Sequence, residues 1–304
     1  MSTARSLSRL AAAVAALALL APAAAAADGL PLPVEDSPSG VLAPGGASRY
    51  LTVTLGGRTA VLAQKAADGA VTGRVVLLGR FGVPLVAYDS TAGGVSGDAR
   101  TLVLIRPRTS FPRHDTTLAV LSLKPNLRLR QIVRLPGDFS FDALSPDGRS
   151  LYLINYLSAN DPTKYRVRVF DLAHDRLDPK PVVDPREPPD EMNGLPVTRT
   201  SSPDGRWAYT LYDGAGKHPF IHALDTRDRR AFCIDLDGAA FTGADPYQLH
   251  LVLAAAGRRL DIRDRTALVA SVDAKTFRVS DAPAARDAAA SQGGGGPGLL
   301  WPLL

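Results

Sequence analysis

Ser-Pro-Asp-Gly-Arg occurs twice in this chain, at residues 145–149 and again 57 residues later at residues 202–206. Each copy is followed by a run of aromatic and aliphatic residues, SLYLINY in the first case and WAYTLY in the second. The pentapeptide suits a tight four-residue turn. Proline presets φ near −65°, aspartate tolerates the third position, and glycine supplies the positive φ that leads into the next strand. A hairpin corner that recurs implies a hairpin unit that recurs.

Weaker copies extend the series. TLGGRTAVL carries its turn glycine at Gly57, VSGDARTLVLI has Ala99 in the glycine slot, and LAAAGRRLDI has Gly257. The intervals between successive corners are 42, 49, 57 and 52 residues. A second match follows each turn strand, as in FDLAHDRL (170–177) and LDTRDRRA (224–231), so the unit is four short strands repeated about five times. From residue 49 to 281 almost every segment is a five- to seven-residue run rich in β-branched, aromatic or leucine residues and bounded by turn residues. None of it offers three turns of helical periodicity free of Pro and Gly. Four strands per unit at this period predict an all-β propeller of about five four-stranded blades, with six or seven as the alternative if some blades are degenerate. The Pro- and acid-rich stretch 178–196 lengthens the third interval and is expected to protrude.

SPDGR followed by an apolar strand resembles the repeat of TolB-type propellers. VRVFDL (167–172) is similar to the matching strand of WD-repeat and YVTN-type propellers. The resemblance covers residues 49–281, without the full Trp-Asp signature or the YVTN tetrapeptide. It implies a ring closed by pairing an N-terminal strand with the last blade, and residues 49–55 are the candidate closing strand.

The ends of the chain have other compositions. Arg5 and Arg9, then the apolar run 11–20, then several Ala-x-Ala sites ending at Ala27, have the layout of a secretory signal peptide over residues 1–27. Ten apolar residues are too few to span a bilayer. Residues 28–48 read as an extended leader, and 282–298 as a flexible Gly/Ala-rich linker. The terminal LLWPLL (299–304) is read as the start of a shortened membrane anchor or as a plain apolar tail. A secreted or extracytoplasmic location follows, with a membrane tether as the variant.

Composition excludes some classes. The formal net charge is +5, and the basic runs RDRR (227–230) and RLR (128–130) are short and flanked by apolar or acidic residues, so a nucleic-acid footprint is excluded. One cysteine, Cys233, allows no internal disulfide and, lying in AFCIDL, reads as a buried inert thiol. His218 and His222 flank Pro-Phe-Ile with Asp225 beyond. On a strand those imidazoles stand about 13 Å apart and cannot chelate one ion, so they read as surface histidines. Ser96, in GGVSGD, lacks the last glycine of the nucleophile elbow, and turn geometry suffices to explain Asp98, Asp147 and Asp204. No cofactor or metal is expected.

The candidate ligand-binding residues lie on the innermost strands, which border the axial channel of a propeller. Three positions before each turn serine stand Asp142 and Arg199, and the fifth unit places Gln248 and His250 on the corresponding strand. The alternative for the first two is an ion pair between blades. The chain thus reads as a monomeric, non-catalytic binding or scaffold module for a protein or small ligand. A hydrolase or lactonase-like propeller with its site in the channel is the alternative, and a remnant of a larger catalytic protein is a third reading. Three or more converging carboxylates or histidines at the axis would favour an enzyme; an Arg- or apolar-lined channel would favour binding.

Overall fold

A computed structural model describes residues 37–186 and 192–282; the stretch read as a signal peptide (1–27), the first part of the leader (28–36), nearly all of the linker and the apolar end lie outside these residues. Their nineteen strands form five antiparallel sheets, each a meander in chain order. The first holds β1 (Val41–Leu42), β2 (Ser48–Leu55), β3 (Arg58–Lys65) and β4 (Val71–Leu78); the second holds β5 (Thr101–Ile105), β6 (Asp115–Ser122) and β7 (Arg128–Pro136). The third holds β8 (Phe139–Leu144), β9 (Ser150–Tyr156), β10 (Tyr165–Asp171) and β11 (Arg176–Val182). The fourth holds β12 (Pro196–Ser201), β13 (Trp207–Tyr212), β14 (Phe220–Asp225) and β15 (Arg230–Asp235). The fifth holds β16 (Leu249–Ala254), β17 (Arg259–Asp264), β18 (Ala267–Asp273) and β19 (Val279–Asp281). Five such sheets stacked face to face are propeller blades.

The second blade departs from the expected four strands. Its innermost place is held by two isolated bridges to β5, from Val95 to Leu102 and from Gly82 to Ile105, and Gly93, Gly94 and Gly97 leave little side chain to sustain a strand between them.

Alternation along each strand explains the stacking. Leu102 and Leu104 pack with Tyr50, Val61 and Leu77 of the first blade, whereas Val103 and Ile105, between them in sequence, pack with Phe139, Phe141 and Leu153 of the third. All five residues of β5 are buried for this reason: both faces of its sheet are covered. Val167, Val169 and Tyr152 then meet Ala208, Tyr212 and Leu224, and Leu211 and Ile221 meet Leu251 and Ile262. Among the described residues no buried apolar cluster joins the fifth blade to the first. The outer face of the first blade accordingly exposes Leu42, Val53, Leu55, Val76 and Leu78, the last to 77%. Residues 49–55 are therefore not a closing strand: they lie in β2, paired with β1 and β3 of their own sheet. Each end blade takes all its strands from one stretch of chain.

The corner residues all adopt positive φ, at Gly57 (79°), Ala99 (53°), Gly148 (65°), Gly205 (71°) and Gly257 (87°). Four of them join the first and second strands of a blade. Gly57 is one hairpin out of register, joining β2 to β3. The serine and aspartate act alike in each strong corner. Ser145 Oγ donates to Asp147 at 2.6 Å and accepts the Ser150 N–H, and Ser202 repeats this with Asp204 and Trp207. Ser96 does the same with Asp98 and Thr101, so it is a turn residue.

The corners of the second, third and fourth blades converge. Asp98 N–H donates to Pro146 O at 2.9 Å, and a Cβ on Gly97 would lie 2.5 Å from Asp204 O and 3.2 Å from Pro146 Cα. Gly97→Ala should therefore cost about 1–3 kcal/mol by overpacking backbone that cannot swing aside. Urea denaturation reads this, and a midpoint equal to wild type would mean the three corners do not touch.

Candidate functional site

The inner edges of the second, third and fourth blades border two small cavities. One, of about 150 Å³, is bordered by Gly93, Gly94, Val95, Phe141, Ser201 and Ala208 among others. The other, of about 30 Å³, is bordered by Ser140, Tyr156, Tyr165 and Tyr212. Asp142 and Arg199 border both and stand between them.

Local structure aims this pair. β8 carries a register shift between Phe141 and Ala143, so Asp142 is the extra residue of a bulge, a feature that redirects a side chain. It points across the blade junction to Arg199 on β12. Arg199 Nη2 donates to Asp142 Oδ1, Nη1 donates to the Asp142 carbonyl, and Nε donates to Thr210 Oγ1 at 2.8 Å. The two side chains are 6% and 1% exposed, and Asp142 Oδ2 is buried without a hydrogen-bond partner. The guanidinium is committed to the protein itself. Around it stand phenols: Tyr165 and Tyr212 are each 2% exposed, and burial pushes both hydroxyls well above the usual phenol range. They are neutral hydrogen-bonding groups there, not bases.

The sequence-derived set divides. Asp142 and Arg199 meet as described. Gln248 ends the 3-10 turn Pro246–Gln248, His250 follows on β16, and both are exposed and border neither inner cavity. Thr210, which holds the Arg199 guanidinium, lies in no motif of the sequence. Its only signal is its place opposite Arg199 in the β12–β13 register.

Two other expectations change. His222 is not a surface histidine: it is 2% exposed because β14 is covered by neighbouring blades on both faces. Cys233 is half-buried rather than buried, since β15 is an outer strand bordering an open cleft. His218 remains on the surface, 3.4 Å from Asp235, and Asp225 is held by Arg206 and Arg230. Among the described residues no group of three or more His, Cys, Asp or Glu could hold a metal ion.

A second buried ionic cluster lies where the 106–115 loop meets the third blade. Asp138 accepts from Arg108 Nη2 at 2.6 Å, from Arg113 Nε at 3.0 Å and from the Arg113 N–H at 2.9 Å. Burial alone would raise its pKa, but the two guanidiniums and the backbone donor outweigh that and hold the carboxyl below its usual value. Arg108 also lies over the rings of Tyr156 and Phe111.

No protein-family model and no curated protein sequence matches this chain. Solved structures do. The chain is similar to TolB from Acinetobacter baumannii, with 13% identity and a TM-score of 0.42 over 77% of this chain and 50% of that one. It is also similar to a functionally unknown protein from Desulfotomaculum acetoxidans, at 12% identity and a TM-score of 0.48 over 80% of this chain and 68% of that one. The β-propeller domain of Cps50 (Swd1) from Myceliophteria thermophila is similar at 9% identity and a TM-score of 0.45, over 79% and 68% of the two chains. The likeness is one of fold. The chain spans half the length of the TolB chain.

Proposed function

We propose that this chain is an exported, non-catalytic β-propeller that acts as a binding or scaffold module at the cell envelope. The observation that carries the reading is how the inner cavities use their charges. Among the described residues, Asp142 and Arg199 are the only Asp, Glu, Lys, Arg or His residues bordering them, and each is the other's partner. A general base must be within reach of a proton it can take, and a nucleophile needs such a base beside it. The other bordering groups are glycines, aliphatic side chains, hydroxyls and neutral phenols, which suit recognition. Export rests on the positively charged and then apolar pattern of residues 1–27.

The test is a turnover assay on the purified chain with a lactone, a chromogenic ester and a peptide anilide. Rates at the buffer background are expected for all three. Turnover abolished by Asp142→Asn would establish the hydrolase alternative instead. Fusing residues 1–27 to a reporter active only outside the cytoplasm should give signal; a silent fusion would remove export from the reading.

A further inference from the structure

Four residues of the fourth blade lie on one line of register: Arg199 on β12, Thr210 on β13, His222 on β14 and Cys233 on β15. All four face the third blade, as do their neighbours Ala208, Tyr212 and Leu224 in the apolar layer between the two blades. A polar row thus crosses a layer that is otherwise greasy. Its inner end is satisfied, since Arg199 is bound by Asp142 and Thr210. Its middle is not. Neither Nδ1 nor Nε2 of His222 has a hydrogen-bond partner, although the side chain is buried. A buried polar group without a partner is destabilising, so its presence asks for a reason.

His222 borders a cleft of about 280 Å³ that opens at the rim between the two blades, near the lower end of the range for small-molecule pockets. Val167, Val182 and Phe220 give the cleft apolar walls. Its outer end is clasped by the third blade: Asp184 accepts the Cys233 N–H at 2.8 Å, and Arg186 donates to the Cys233 carbonyl at 2.8 Å. Asp184 is therefore already neutralised, by Arg186 and that N–H. The mouth carries Arg166 and Lys217, both exposed and without an ion pair among the described residues, while Asp235 stands beside His218.

We propose that this cleft is a binding site for a small carboxylate with an apolar body, whose carboxyl group hydrogen-bonds His222 while Arg166 and Lys217 attract it to the mouth. Burial, helped by the Arg199 charge and only partly offset by the Asp142 and Asp184 carboxylates, pushes the His222 pKa down to about 4, so the imidazole is neutral near pH 7 and keeps one N–H to donate. The hydrocarbon part lies against Val167, Val182 and Phe220. The site is peripheral, on the far side of Thr210 from the inner cavities, and its test reads binding at His222 whatever those cavities do.

Benzoate and hexanoate are the probes, titrated into the full chain by calorimetry, with His222 ring nitrogen shifts followed by NMR. Wild type should bind at least one of them and shift the His222 ring signals. His222→Phe keeps the packing and removes the unpartnered nitrogens. It should melt no lower than wild type while binding at least about tenfold more weakly, the loss expected for a hydrogen bond to a charged group. Lys217→Gln should weaken binding less, because a rim charge is screened by solvent. No binding of either probe, or binding that survives His222→Phe, overturns the proposal. A His222→Phe chain that melts well below wild type assigns the imidazole to the fold and overturns it as well.

Discussion

Arg199→Met is expected to lower the unfolding free energy by about 3–5 kcal/mol, because it leaves the Asp142 carboxylate buried between two blades with no counter-charge. Asp142 is 1% exposed, and its Oδ2 already lacks a partner, so little in the surroundings can take over. In a domain of this size the loss corresponds to a fall in melting temperature on the order of 10 °C. The double variant Asp142→Leu/Arg199→Met should recover most of it, since apolar residues can replace a buried pair nearly neutrally. Denaturant titration of the three chains gives the comparison. If the single variant stays within about 1 kcal/mol of wild type, the pair does not hold the third and fourth blades together.

Asp138→Ala should be comparably damaging, at about 3–5 kcal/mol. Two guanidiniums whose side chains are 5% and 8% exposed share that carboxylate, and removing it leaves like charges facing each other out of water. Asp138 also accepts the Arg113 N–H, so a buried backbone donor loses its acceptor. The pH dependence follows from the lowered pKa of Asp138. Its contribution is complete above the unfolded carboxyl value near 4 and is lost as pH falls through the lower folded value. Acid unfolding of wild type should steepen below about pH 4, and the Asp138→Asn chain should show a flatter profile there. Parallel profiles for the two chains would show that Asp138 is not held ionised by its arginines.

How much of this was readable beforehand differs from residue to residue. Five corner positions were legible because turn chemistry is local: the residues that set φ sit beside one another. Spacing alone puts Ala99 in a glycine slot, and it does take a positive φ. Gly57 marks the limit, since a turn motif identifies a hairpin without saying which hairpin of the blade it is. Asp142 and Arg199 were found together because the period carries equivalent positions onto equivalent strands. Gln248 and His250 follow from the same logic, yet they stand exposed on the last blade, whose outer face no buried cluster covers among the described residues. His222 illustrates the converse. Its strand was recognised, but which of its faces is sealed depends on the neighbouring blade.

The order of amino acids by itself determined the elements that consecutive residues control: short alternating strands, tight corners, their period, and hence blades. Tertiary structure alone decided which side chains share a junction, because partners 57 residues apart meet only when two sheets stack. It decided that the third and fourth blades enclose a polar row, and that, among the described residues, an apolar face of the first blade is exposed. The physical reason is that backbone geometry is set by near neighbours, whereas burial, charge pairing and cavities are set by whatever surface arrives opposite.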